Sequence, residues 1–278
     1  MKNYVVIISK WSGFYLGVGL FVLVTMFPFI WQLITSLKSP DDLYLMPPTW
    51  WPSFDFRSYV AVFTERPFLT YLKNSFIVSS LTTIYCIAIG AFCAYALARL
   101  QFRFKRLILS LVLAVSMFPT IAILSPIFIL LKDLKLLNTY AGLILPYTTF
   151  GLPLTIWILT GFFREIPKEL EESAAMDGCS KLGAFFRIIL PLATPGIFTT
   201  AIIVFIHSWN EFLFSLSFMT TDEMRTVPVG IAMFPGQHEL PWGDISAASV
   251  VVTVPLIILV LIFQRRIISG LTAGAVKG

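Results

Sequence analysis

The amino-acid sequence predicts an all-α membrane protein with six transmembrane helices, and two observations carry that expectation. Of 278 residues, 57% are hydrophobic and only 13% are charged, a balance that ordinary globular domains do not show. Six stretches also contain no Asp, Glu, Lys or Arg: Trp11–Leu37, Asn74–Ala98, Leu107–Leu131, Leu136–Phe163, Ile188–Asn210 and Ile245–Gln264. A hydrocarbon core of about 30 Å takes about 20 helical residues to cross. Each stretch is long enough, and backbone groups in lipid are satisfied by helix formation.

The first stretch, Trp11–Leu37, is too long for the apolar core of a secretory signal, and no small-x-small cleavage pattern follows it before the polar turn Ser36–Pro40. It reads as a retained helix. Residues 38–70 carry Pro40, Pro47, Pro48, Trp50, Trp51, Pro52 and Pro67, a connection suited to the membrane interface. Asn74–Ala98, Leu107–Leu131 and Leu136–Phe163 follow with short links. Ile188–Asn210 ends on Trp209 and Asn210, with Glu211 just beyond. Residues 220–244 form a second turn-rich segment, and Ile245–Gln264 is the last span. No internal repeat or low-complexity tract stands out.

Orientation follows from Lys and Arg. With the N-terminus in the cytoplasm, the inner segments hold Lys2, Lys10, Arg99, Arg103, Lys105, Arg106, Arg164, Lys168, Lys181, Arg187, Arg265, Arg266 and Lys277. That places 13 of the 20 basic residues inside and 7 outside. Both termini and residues 164–191 are then cytoplasmic, and the net charge of +5 says little about partners other than the bilayer.

Self-contained chemistry is not indicated. There is no G-x-x-x-x-G-K-[ST] phosphate loop, only His207 and His238 represent histidine, and no Cys/His cluster has metal-ligand spacing. Cys86, Cys93 and Cys179 do not form a disulfide framework and read as packing residues. No cofactor or metal is expected in the chain itself, and chemical energy has to come from a partner.

The most informative segment is Glu169–Pro191. Pro167 suits a first helical turn, and Glu169, Glu171 and Glu172 sit where the helix dipole favours acids. Gly178 can end that helix in a left-handed conformation, and Ser180 can cap a second one. Leu170 and Ala174 give a narrow apolar stripe suited to docking. Periodicity alone fits a solvated amphipathic loop equally well.

Spacing adds a resemblance. Glu172, Ala174, Gly178, Ile188, Leu190 and Pro191, with Ser173 in place of the middle alanine, reproduce the E-A-A-x3-G-x9-I-x-L-P signature of ABC importer permeases. From about Asn74 to Gly278 the chain is similar to the shorter permease of carbohydrate ABC importers of the maltose/trehalose type, including relatives for compatible solutes such as glucosylglycerol. Ser116–Pro119, Leu145–Pro146, Gly161–Phe163, Trp209–Phe212, Trp242–Gly243 and Gly270–Gly278 carry this resemblance.

The resemblance implies the type I ABC importer permease fold. Residues 1–70 would form the first helix and its Pro/Trp-rich outer loop, and 71–268 the transmembrane core, with a coupling loop at 164–191. Residues 269–278 would be a cytoplasmic tail. It implies a second homologous permease, two ATP-binding subunits that hold ATP and Mg, and an extracytoplasmic sugar-binding protein, with no nucleic acid. Leu170, Glu172, Ser173, Ala174 and Gly178 would meet the ATPase, and Ala273, Gly274, Lys277 and Gly278 would reach between its subunits. Pro235, Gly236, Gln237, His238 and Glu239 would enter the cleft of the binding protein as a scoop.

Within the spans, Asn210, Glu211, Asn74 and Thr120 are candidates to line a polar pathway, with Gln32, Ser116 and Thr148 as further polar residues. Glu211 is the most unusual. A charge at the centre of a membrane helix costs about 2.5–3.5 kcal/mol on insertion scales, so it faces either a cavity or a structural hydrogen-bonding partner. An ABC permease for a non-sugar solute, an ion-coupled secondary transporter and a membrane scaffold are the alternatives to a sugar importer.

Overall fold

The computed structural model describes residues 2–234 and 240–273, with side chains described for 13–234 and 240–264. In chain order the helices are α1 (Lys2–Ser36), α2 (Pro40–Leu43), α3 (Arg57–Thr64), α4 (Phe68–Arg99), α5 (Lys105–Ser116), α6 (Thr120–Asp133) and α7 (Tyr140–Glu165). There follow α8 (Glu169–Met176), α9 (Lys181–Ala184), a π-helical turn Phe185–Ile189, α10 (Leu190–Leu192), α11 (Thr194–Trp209) and α12 (Leu213–Phe218). A 3₁₀ turn Asp222–Met224, α13 (Val227–Ala232) and α14 (Trp242–Ala273) complete the order. No strand occurs among the described residues.

Four helices are long and apolar enough to cross a membrane alone: Gly13–Ser36 within α1, α4, α7 and Trp242–Gln264 within α14. The two remaining charge-free stretches are not straight. The helices α5 and α6 meet at 90°, and the Lys181–Leu192 run meets α11 at 75°. Six spans result if each bent pair counts as one. The break after Ser116 has a cause in the sequence, since Pro119 disfavours a helical Phe118 and itself adopts ψ 121°.

The chain divides into two compact units. One comprises Met1–Arg66 and Ile231–Thr253, the other Pro67–Gly230 and Val254–Gly278. In the first, residues 13–30 of α1 are exposed all round, as befits a helix solvated by lipid. Arg66 pairs with Asp244 at 3.4 Å and lies over the Phe234 ring at 4.7 Å. Tyr44 donates to the Leu240 carbonyl at 2.9 Å.

The second unit is built on α4 and α7. At 1.5 Å per residue the 32 residues of α4 span about 48 Å, more than a hydrocarbon core of about 30 Å. Small residues let α4 approach α7: a Cβ at Gly90 would sit 2.5 Å from the Thr155 methyl group, so the contact depends on glycine. Ala91, Ala94, Leu159, Phe163, Phe185 and Ile189 fill one core cluster, and Val78, Leu143, Tyr147, Phe214 and Phe218 belong to a second.

Several buried hydroxyls are satisfied within their own helices. Thr155, Thr160 and Thr200 donate to carbonyls four residues back, at 2.8, 2.6 and 2.7 Å. Cys86 is buried, with Sγ 3.7 Å from the Thr148 carbonyl, and Cys86, Cys93 and Cys179 are all free.

Candidate functional site

The acidic segment folds as its residues dictate. The first turn of α8 carries Glu169, Glu171 and Glu172. Gly178 takes φ +80°, the Gly178 N–H donates to the Ala175 carbonyl at 3.1 Å, and the Cys179 N–H donates to Ala174 at 2.8 Å. This pair of bonds is the Schellman arrangement, which needs a left-handed residue after the helix. Ser180 then caps α9 by accepting from the Gly183 N–H at 3.1 Å. Ser173, which interrupts the alanine pair, turns its hydroxyl onto the Glu169 carbonyl at 2.8 Å.

The expected Leu170–Ala174 stripe is divided by the structure. Ala174 is buried within the chain, whereas Leu170 is 41% exposed. The exposed apolar surface consists of Leu170, Met176 at 83% and Leu182 at 61%, with Glu172 exposed among them. Leu170 also borders a cavity of about 410 Å³ with Phe162, Ile166, Pro167 and Leu192.

The second acid of α8 is mostly buried. Glu171 Oε1 lies 2.6 Å from Arg99 Nε, and both side chains are mostly buried. Tyr95 donates to Glu171 Oε2 at 3.2 Å, and Arg99 Nη2 donates to the Ile166 carbonyl at 2.7 Å. Only Ile166, Pro167 and Lys168 separate α7 from α8. The short helix is therefore tied to the ends of both α4 and α7. Behind it, the rings of Phe163 and Phe185 both pack against Tyr95, with Phe185 opening the π-helical turn Phe185–Ile189. Such turns recur at functional sites.

The polar candidates lie elsewhere in the same unit. The helix α11 ends at Trp209, so Asn210 and Glu211 sit in a turn rather than inside a span. Asn210 is exposed and its amide donates to the Ile206 carbonyl at 2.8 Å. Glu211 caps α12 by accepting from the N–H groups of Phe214 at 2.8 Å and Ser215 at 3.2 Å. It also accepts a short hydrogen bond from the Tyr147 hydroxyl.

Asn74 is fully enclosed and committed. Its amide donates to the carbonyls of Glu223 and Arg225 at 2.8 and 2.9 Å, and its oxygen accepts from the Tyr140 hydroxyl at 2.8 Å. These bonds place Asn74 as a clamp on the 222–227 segment. Tyr140 and Tyr147 are seven residues apart on one face of α7, so this helix serves both Asn74 and Glu211. Thr120 lies apart from them, exposed at the first residue of α6.

Some constraints were not visible in the sequence. Arg99 and Glu171 are too distant along the chain to be paired by periodicity. Asn138, at φ 56°, accepts from the Thr220 and Thr221 N–H groups at 2.7 and 3.2 Å and so joins two loops. An Asn in a polar turn, a residue type that tolerates this αL conformation, was the available signal. The expected scoop residues Pro235–Glu239 and the tail residues Gly274, Lys277 and Gly278 lie outside the described residues, while Ala273 ends α14.

Comparison with known proteins follows the same geometry. Residues 86–272 match the family model described as binding-protein-dependent transport system inner membrane component. The chain is 46% identical, over 91% of its length and 89% of the relative's, to the sulfoquinovosyl glycerol transport system permease protein SmoH of Agrobacterium fabrum. It is 44% identical, over 95% of each chain, to the trehalose/maltose transport system permease protein MalG of Thermococcus litoralis. Among solved structures, a chain of a bacterial ABC transporter involved in import of the acidic polysaccharide alginate superposes with a TM-score of 0.78 at 21% identity, covering 90% of this chain and 94% of that one. That likeness concerns the fold. With a family match across most of its length and a helical core of the same fold, this multi-pass chain belongs to the inner-membrane permease components of binding-protein-dependent ABC importers.

Proposed function

We propose that the chain forms half of the translocation pathway of an ATP-driven sugar or glycoside importer and receives the stroke of partner ATPases through residues 164–191. The observation that carries this reading is the attachment of α8. Its exposed Leu170, Met176 and Leu182 offer a docking surface, while Arg99–Glu171 and the three-residue link to α7 fasten it to the two central helices. A push on α8 therefore has little slack before it moves α4 and α7. The Schellman cap and the N-terminal acids keep so short a helix formed.

The remaining assignments follow from this one. Two ATP-binding subunits hold ATP and Mg on the cytoplasmic side, a second homologous permease completes the pathway, and an extracytoplasmic binding protein delivers the solute. The basic-residue asymmetry supports cytoplasmic termini. Sugars are the proposed cargo because the relatives at 44–46% identity are named for sulfoquinovosyl glycerol and for trehalose/maltose. Residues Ala273, Gly274, Lys277 and Gly278 are proposed to approach the ATPases, and 235–239 the binding protein.

In the pathway, Asn210 is the proposed solute-facing group, since its side chain is exposed in the single chain. Glu211 and Asn74 hold the surrounding turns instead. The test is uptake of a panel of labelled solutes by proteoliposomes containing the complete transporter, with and without ATP. Saturable, ATP-dependent uptake of a glycoside or disaccharide is expected. Uptake driven by an ion gradient without ATP would overturn the proposal in favour of a secondary transporter.

A further inference from the structure

A stripe of side chains runs along the end of α1. Phe27, Trp31, Thr35 and Lys38 follow one another at helical spacing, and together they form one wall of a cavity of about 540 Å³. Trp242, Ile245 and Ser246 of α14 make the facing wall. The cavity is apolar at Phe27 and Pro28 and cationic at Lys38.

Lys38 is unusual for its type, being only 4% exposed. Its ammonium lies 4.4 Å from the centre of the Trp31 ring, and among the described residues no carboxylate comes within 4.0 Å of it. A buried ammonium without a close anion is costly, and a cation–π contact offsets only part of that cost. Burial also lowers the Lys38 pKa, with Asp42 opposing the shift from farther away. The Lys38 ammonium is thus left without a contacting anion among the described residues.

Its surroundings indicate what supplies such an anion. Residues 13–30 of α1 are exposed and lipid-facing, so the apolar end of the cavity continues the bilayer interior. Trp31 and Trp242 line the cavity, and side chains of this kind concentrate where a bilayer's headgroups lie. A ligand with a negative head and a long apolar body fits this gradient, and the membrane supplies it at high local concentration.

We propose that Lys38 binds the phosphate of an anionic membrane phospholipid whose chain lies along Trp31 and Phe27. Lysine acts here as a compact charge for a phosphate, and the flanking Gln32 and Ser246 supply polar groups at the same rim. Occupation would fix the end of α1 to its facing helix.

The test uses the full-length chain, purified with the subunits that accompany it, as wild type, Lys38→Gln and Lys38→Arg. Native mass spectrometry and thermal unfolding are measured during titration with phosphatidylglycerol, phosphatidylcholine and inorganic phosphate. The wild type is expected to retain phosphatidylglycerol and to unfold several degrees higher in its presence. Lys38→Gln should bind it at least tenfold more weakly, with Lys38→Arg keeping most of the effect. Equal retention by wild type and Lys38→Gln would overturn the proposal. So would matching stabilisation by inorganic phosphate, which would mark a soluble-anion site, and so would the absence of any lipid effect, which would mean that protein covers the cavity. None of these outcomes bears on whether the transporter imports sugar.

Discussion

At the scale of single residues, the carboxylates divide into those that hold the chain together and those left exposed. Glu211 accepts from Tyr147, Phe214 and Ser215, so Glu211→Ala removes a helix cap and a charged acceptor at once. A loss of about 2 kcal/mol in stability is expected, with little change in the KM for the imported solute. A changed KM at unchanged thermal stability would restore it to the pathway. Arg99→Ala and Glu171→Ala should each lower stability by about 2 kcal/mol, and the double variant by less than the sum, because both break the same ion pair while each also loses one bond of its own, to Ile166 or from Tyr95. Additive losses in thermal or denaturant unfolding would contradict that pairing. At Gly178 a Cβ meets nothing within 4 Å, so Gly178→Ala costs about 1 kcal/mol through its left-handed backbone alone. Gly178→Pro is expected to be worse, since it also removes the bond to Ala175.

At the scale of elements, what the sequence revealed depended on whether the signal was local. The caps at Gly178 and Ser180 were legible because each rests on a residue type within one turn of the helix it ends. The straightness of Leu107–Leu131 and Ile188–Asn210 was not. Absence of charge reports that a segment tolerates lipid, and says nothing of its direction. Pro119 and Pro195 mark the places where the breaks occur, although Pro126, Pro146 and Pro153 lie inside unbroken helices. A proline in a membrane helix is thus an ambiguous mark. The apolar stripe on α8 was half legible: period places Leu170 and Ala174 on one face, but only the packed chain reveals that Ala174 is already covered. Replacing the residue that keeps Phe118 out of the helix, with Pro119→Ala, is expected to lessen the 90° bend between α5 and α6. Unchanged spin-label distances across α5 and α6 would be the contrary result.

At the scale of the whole molecule, the membrane reading was fully visible in composition, whereas the linkage between its parts was not. Asn74, Tyr140 and Glu223 come from three separated regions, and Glu171 meets Tyr95 and Arg99, one turn apart on α4, from a distant part of the chain, so no periodicity relates these partners. Orientation rests on the 13-to-7 distribution of basic residues. In a variant lacking the native cysteines, a cysteine at Gln237 should react with an impermeant reagent added outside, and one at Ser180 should not. Labelling in the reverse order would invert the topology.

The central claim is that α8 passes the work of ATP hydrolysis to the transport helices. It is tested most directly by measuring uptake and ATP hydrolysis together in proteoliposomes of the complete transporter, wild type and Leu170→Glu/Met176→Glu. These two side chains are exposed, so the substitutions spare the fold while placing charge on the proposed docking face. The expected result is a stably inserted permease whose ATP-dependent uptake falls at least tenfold, through lost ATPase association or hydrolysis no longer matched by transport. Wild-type uptake with a wild-type ratio of ATP consumed to solute imported would contradict the account.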